Sequence, residues 1–376
     1  MVGRRLGIGH DPTVSWVLEG DRPRLELRPA PAPRDLVSFA DPGIRDLVEG
    51  AKEGVLFLGL GPRDTPAWLD LTEQAPHIGM SMATNAGKST TARGLLMQHL
   101  HAGGCALILD PKMDSQLWAR ELPNVRYADT AQEIHDALMW LSGELDRRSN
   151  VTKTHADIRG DIDPMLVGPR LMLIAEELNT LEIDVAAYWR SIRDPKTDPI
   201  KPVSLSALGR ALNMGRARRI NAFMIAQELL VQSLGGPAAK TNLSTRILGR
   251  ANIPTWNKLA PECKRGGRYP RKLMRQGRVY LVVTDEAMPV QTMWADEQTA
   301  IDYSLSGVVS AFPVNTTPVL DPIRQMGSVP AAFFDADEDD TEPEADVLFN
   351  PDTELVTLAD AAERLDLELK VLRTAR

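Results

Sequence analysis

Met82-Ala-Thr-Asn-Ala-Gly-Lys-Ser89 follows a short apolar stretch and opens a helical run, Thr90-Thr-Ala-Arg-Gly-Leu-Leu-Met-Gln-His-Leu100. A loop of this kind at a helix N-terminus turns backbone N–H groups toward one point and forms a nest for phosphate oxygens. Thr84, Asn85, Ala86, Gly87, Lys88, Ser89 and Thr90 are the expected phosphate contacts. Lys88 would reach the β/γ-phosphates of a nucleoside triphosphate, and Ser89 would ligate Mg²⁺. The usual pattern is G-x-x-x-x-G-K-[ST], and Met82 stands where its first glycine belongs. Taken alone, the stretch fits a nucleotide loop or a chance Gly-Lys-Ser at a helix start, and a second element must separate the two.

Leu171-Met-Leu-Ile-Ala-Glu-Glu-Leu178 is that element. A buried apolar strand ending in a carboxylate can hold the water shell of the Mg²⁺ ion, and a following Glu can activate the attacking water. Glu176 takes the metal role in this reading and Glu177 the water-activating role. Asp is usual at the first position. The bland alternative is a buried strand whose end carries two solvated acids. Both elements in this order, with β/α alternation between them, point to an NTPase.

Outward from these two stretches the chain keeps alternating. Residues 104–109, 220–226 and 278–283 are short apolar runs separated by helical patterns, the signature of buried parallel strands in an α/β fold. Residues 1–72 are expected to form a small β-rich segment. It includes Arg24-Leu25-Glu26-Leu27-Arg28 and two strands at 54–60 and 67–71 joined by the Gly61-Pro62-Arg63-Asp64 turn. The α/β NTPase core is placed at 73–315, an acidic flexible linker at 316–350, and a helical tail at 351–376.

The composition is that of a globular chain: of 376 residues, 43% are hydrophobic and 25% charged, which excludes a collagen, a coiled-coil rod or a wholly disordered chain. The net charge of −8 comes from the tail. Residues 331–376 hold fourteen acids and four bases, leaving 37 acids against 39 bases in residues 1–330, about +2. Acidity is therefore no argument against a nucleic-acid partner. No apolar run is long enough to span a bilayer, and no secretion signal is visible. Two cysteines cannot build a disulfide framework, Cys105 reads as a buried core residue, and a reduced, cytoplasmic location is expected. The histidines show no metal spacing, and His77 reads as a positioning residue.

The order of motifs over about residues 54–285 resembles the FtsK/SpoIIIE family of DNA translocases, which includes TraB-like transfer proteins. Ala75-Pro-His77 stands ahead of the loop as in that family, and Asp110-Pro-Lys-Met113 matches its Asp-Pro-Lys element. Leu145-Asp-Arg-Arg148, Glu176-Glu-Leu-Asn-Thr-Leu181, the block from Gly215 to Gln227 and Thr241-Asn-Leu-Ser-Thr-Arg246 follow in order. Met82, Glu176 and Ala226 depart from the pattern. The resemblance implies a RecA-like P-loop NTPase core, ATP and Mg²⁺ as cofactors, and double-stranded DNA as partner. It also implies a homo-oligomer, a hexameric ring.

In such a ring Gln227 would sense the γ-phosphate, or simply cap a strand end. Arg246 and Arg250 are the candidates for an arginine that reaches a neighbour's γ-phosphate, and either could equally be a simple surface or salt-bridge arginine. Arg210, Arg216, Arg218 and Arg219, and the acid-free run Lys264, Arg265, Arg268, Arg271, Lys272, Arg275 and Arg278, would line a DNA channel; the ordinary reading of such runs is a solvated face. The tail resembles the first two helices of a helix-turn-helix module. The expected function is ATP-driven translocation of double-stranded DNA for a mobile element or phage. The rivals are a degenerate nucleotide-gated DNA-binding protein and a secretion ATPase of similar fold.

Overall fold

The computed structural model of the chain describes residues 32–156, 163–229, 242–264 and 269–313, with the backbone of 13–17 and 24–28. All of these belong to one unit, residues 1–319. The linker and helical tail expected at 316–376, together with Arg265 and Arg268, lie outside the described residues.

The chain opens with an antiparallel pair, β1 (Thr13–Val17) and β2 (Arg24–Arg28), then β3 (Val37–Ser38), α1 (Pro42–Glu49), β4 (Val55–Leu60) and β5 (Pro66–Asp70). The nucleotide-loop unit follows as β6 (His77–Met82) and α2 (Lys88–His101), then β7 (Cys105–Leu109) and β8 (Val125–Ala128). The long α3 (Ala131–His155) and short α4 (Pro164–Val167) lead to β9 (Leu171–Ala175), α5 (Leu178–Ile192), α6 (Ser206–Met214) and β10 (Ile220–Ala226). The described chain closes with β11 (Thr245–Gly249), α7 (Ile253–Leu259), β12 (Arg278–Val283), β13 (Glu286–Trp294) and α8 (Glu297–Ser306).

Eleven strands form one sheet in the order β5-β4-β13-β12-β11-β6-β10-β9-β7-β8, with β3 paired to β13. The six from β11 to β8 are parallel, and β12, β13, β4 and β5 extend the sheet antiparallel. The sheet thus runs across the boundary expected at residue 72, because β4 pairs with β13 through Gln291 and Thr292.

Continuous apolar runs form the parallel strands because both of their faces are covered. On β7, Cys105, Leu107 and Leu109 face α3, α5 and α6, while Ala106 and Ile108 face the α2 and α8 layer. On β9, Leu171, Leu173 and Ala175 alternate in the same way with Met172 and Ile174. Capping decides where helices start. Thr130 and Glu133 close a capping box on α3, and Asp41 and Asp296 accept from the first turns of α1 and α8. His77 acts as the positioning residue its place suggested. Its Nδ1 accepts from the Ala222 N–H at 3.0 Å, and burial lowers the ring to about 4, so it stays neutral.

Besides the two-residue β3, three strands of the large sheet were not legible in the sequence. β8 is short and half-buried, β11 carries Arg246 as its second residue, and β13 contains Pro289. Pro289 is tolerated because β13 pairs only with β12 at that point; its second partners begin at Gln291.

Candidate functional site

Strand register brings the sequence-predicted residues together. Ala226 on β10 lies beside Ser81 on β6, Met224 beside Ala175 on β9, and Ala175 beside Leu109 on β7. One residue further along, Met82 ends β6, and Gln227, Glu176 and Asp110 leave the sheet at the same, C-terminal edge. In parallel α/β sheets this edge is where ligands bind.

The phosphate loop turns on Asn85 (φ 57°) and Gly87 (φ 101°), and Gly87 caps α2. A side chain at Gly87 would meet the Gly277 nitrogen at 2.9 Å, so the position needs glycine for its space as well as its backbone angle. Thr84 and Asn85 are exposed and Ala86 is buried. Ser89 is exposed and Thr90 half-buried in the first turn of α2, where a helix N-terminus presents free N–H groups. The missing glycine has a local explanation. Met82 is fully buried at the end of β6 and fills the space above Gly249 on β11, where any Cβ would come within 2.8 Å of it.

The loop lysine meets both acids of the second element. Lys88 Nζ donates to Glu177 Oε2 at 3.1 Å and lies 3.8 Å from Glu176 Oε2. Glu177 stands in a left-handed conformation (φ 45°, ψ 58°) at the start of α5, a backbone state that non-glycine residues keep mainly where the surroundings enforce it. Its Oε1 accepts from the Gln227 N–H at 3.3 Å, and the Gln227 Oε1 accepts from Thr84 Oγ1 at 3.1 Å. Gln227 thus bridges the phosphate loop and the second acid.

The two acids have different environments. Burial pushes the Glu176 carboxyl up to about 7 against the pull of the Lys88 charge. Burial also acts to raise Glu177, but the Lys112 hydrogen bond and the Lys88 charge outweigh it and hold that group below the usual carboxylate range. Glu176 Oε1 accepts from Gln116 Nε2 at 3.4 Å, while its Oε2 is buried with no hydrogen-bond partner. An orphaned, buried carboxylate oxygen near the Ser89 turn fits a hard cation such as Mg²⁺, which takes oxygen ligands and keeps its waters.

Two supports were given no site role by the sequence, although Lys112 of the first lies in the Asp110-Pro-Lys-Met113 element. The first is the loop after β7, where Lys112 Nζ donates to Glu177 Oε2 at 2.9 Å and Gln116 Nε2 donates to the Ser89 carbonyl at 3.1 Å. The second is the turn before β12. Gly277 N donates to the Ala86 carbonyl at 2.8 Å, and Gln276 Nε2 donates to Asn85 Oδ1 at 3.0 Å. The contacts of the first join residues 65 and 27 positions apart and that of the Gln276 side chain residues 191 apart, so local spacing does not show them.

Gly277 has φ 70°, and a Cβ there would lie 2.7 Å from Gln291 Nε2. Gly277→Ala is therefore expected to cost about 1–3 kcal/mol of stability and to weaken nucleotide binding by disturbing the loop. Gly209→Ala, in α6 with open space around it, is the control and is expected to be neutral or slightly stabilising. Denaturant unfolding and nucleotide titration of both variants check this, and equal behaviour of the two would remove the turn as a loop support.

Arg246, one of the two candidates for a trans-acting arginine, is engaged within its own chain. Its guanidinium is buried and donates to the carbonyls of Leu259 at 2.7 Å and Thr284 at 2.9 Å, with Glu262 at 2.5 Å. It ties β11 to its own surroundings. Arg250 donates to the Thr84 carbonyl at 3.1 Å, on the phosphate loop of its own chain. The basic clusters are also largely engaged. Arg210 pairs with Asp146, Arg216 bonds the Thr72 carbonyl, Arg218 bonds Ser149 and Arg219 bonds Glu53. Arg275 pairs with Asp35, and Arg278 is buried against the carbonyls of Pro33 and Arg34. Arg271 and Lys272 are exposed.

No protein-family model matches the chain, and no curated protein matches it in sequence. Among solved structures, the pCW3 conjugation coupling protein TcpA, in its monomer form with ATPγS, aligns at TM-score 0.56 and 16% identity. The alignment covers 76% of this chain and 78% of that one. EssC (ATPases 2 and 3) from Geobacillus thermodenitrificans aligns at TM-score 0.51 and 16% identity, covering 74% of this chain. The cytoplasmic domain of the Thermomonospora curvata type VII secretion ATPase EccC aligns at 0.50 and 17%, covering 69%. This chain spans 50% and 32% of those two chains. The chain shares with these structures the mixed α/β fold built around one large central sheet. No described helix is long and apolar enough to cross a membrane.

Proposed function

We propose that the chain is a Mg²⁺-dependent ATPase that moves double-stranded DNA, in the manner of a conjugative or other mobile-element transfer motor. The observation that carries the ATPase reading is the meeting of Lys88, Glu176, Glu177 and Gln227 at one edge of the sheet, with Lys88 Nζ 3.1 Å from Glu177.

In this reading the N–H groups of Thr84 to Thr90 and the Lys88 ammonium bind the β- and γ-phosphates, with the α2 N-terminus behind them. Ser89 and Glu176 hold Mg²⁺ and its water shell. Held there, Mg²⁺ would supply positive charge to the phosphate oxygens. Glu177 orients the attacking water and accepts its proton. Gln227, bonded to both Thr84 and Glu177, transmits the presence of the γ-phosphate to β10. Arg250 acts on the loop of its own subunit, by its bond to Thr84. The motor is read as a homo-oligomer, a hexameric ring with ATP between subunits, working in the cytoplasm. The grip on DNA falls to exposed cations such as Arg271 and Lys272, and to the tail.

The second reading, a secretion ATPase of the same fold, draws on the number of cluster arginines already paired within the chain. A steady-state ATPase assay separates the two. Duplex DNA is expected to raise turnover at least several-fold, and Lys88→Ala to abolish it with or without DNA. Turnover that ignores DNA favours the secretion reading. Absence of turnover in the unmodified chain favours a nucleotide-gated binding protein.

A further inference from the structure

The loop that follows β7 is built more tightly than a surface connection requires. Asp110 is fully buried and accepts four hydrogen bonds, from the N–H groups of Lys112, Asp114 and Ser115 and from the Tyr127 hydroxyl at 2.6 Å. Met113 and Gln116 hold left-handed backbone angles within it. From this frame two side chains reach the site, Gln116 to Glu176 and Lys112 to Glu177. Strained, over-determined loops of this sort collect at functional sites.

We propose that Lys112 is a positioning residue for Glu177, the tether that holds the carboxylate in place when Lys88 turns to the phosphates. The inference rests on the site reading given above. Glu177 Oε2 accepts from two ammonium groups, Lys88 at 3.1 Å and Lys112 at 2.9 Å. An ammonium has three protons to give, and phosphate oxygens compete for those of Lys88. When they win, the acid keeps Lys112 on Oε2 and the longer bond from the Gln227 N–H, 3.3 Å, on Oε1. Lys112 is carried by β7 and its Asp110-braced loop, not by the phosphate loop, so it stays put while Lys88 moves. A carboxylate without that tether is free to swing on its rotatable bonds, and a displacement of about 1 Å at a reacting group can cost about 100-fold in rate.

The test compares the full-length chain with Lys112→Ala, Lys112→Arg and Lys88→Ala. It reads kcat and KM for ATP, ATPγS affinity and thermal unfolding. Lys112→Ala is expected to lower kcat about 10- to 100-fold with ATPγS affinity within about threefold of the unmodified chain, and Lys112→Arg to recover most of the loss. Unchanged kcat overturns the inference. So does a raised kcat, which would make Lys112 a brake on the acid, and so does an affinity loss as large as the rate loss, which would make it a phosphate ligand. An equal defect in both Lys112 variants with a lowered unfolding temperature would make it structural and overturns the inference as well. Turnover that is absent, or that survives Lys88→Ala, overturns the site reading and this inference with it. Active, Lys88-dependent turnover beside an unaffected Lys112→Ala overturns this inference alone.

Discussion

Glu177→Gln is expected to lower ATP turnover by about 10²- to 10⁴-fold while Mg²⁺-ATP still binds. The substitution keeps the shape of the side chain and an oxygen that can accept from the Gln227 N–H, now at 3.3 Å. It removes the charge that faces Lys88 and Lys112 and the capacity to take a proton from water. Binding depends on the loop, Lys88 and the α2 N-terminus, none of which is altered. Lys88 in fact loses a competitor for the phosphates. Phosphate release and ATPγS titration on the same preparation measure the two effects separately. Parallel losses in turnover and affinity would place Glu177 in binding rather than in water activation.

Glu176→Gln is expected to work in opposite directions on stability and on metal use. Burial raises the Glu176 carboxyl from 4.5 to about 7. Between those values the folded chain keeps a proton that the unfolded chain has released, so stability falls as pH rises from about 4.5 to about 7 and stays lowered above it. The cost at pH 8 is about 3 kcal/mol without metal, and an amide in its place does not ionise. The metal-free variant is therefore expected to unfold several degrees higher than the unmodified chain at pH 8 and to differ little from it at pH 4.5. The orphaned Oε2 is also the atom offered to the cation, so the variant is expected to lose the extra thermal protection that Mg²⁺ adds to ATP. Thermal scans at the two pH values, with and without Mg²⁺-ATP, test both halves. If the unfolding temperatures match at pH 8, the buried charge carries no such penalty; if the Mg²⁺ effect persists, the ion is held elsewhere. A stabilising substitution that removes a functional group is the usual trade at such sites.

The two predictions differ in how far the sequence had already reached. Gly87, Lys88, Glu176 and Glu177 can be singled out in the sequence because the features that mark them are local: a glycine turn, a helix start and an apolar run that ends in acids. Met82 was read as a defect, and the packing against Gly249 turns it into a compensated exchange between adjacent strands. Arg246 shows the reverse, since nothing in its neighbouring residues marks the distant carbonyls that hold its guanidinium.

Spacing and hydrophobic alternation were enough to establish an α/β sheet with a phosphate loop and an acidic strand end, because backbone geometry and burial act over a few neighbouring residues. The folded chain alone settled that β10 lies between β6 and β9, that Lys112 and Gln116 stand behind the two acids, and that the turn at Gly277 supports the loop. Those contacts depend on which strands lie side by side, and strand order follows from how helices and sheet close over a shared core, which no local stretch encodes.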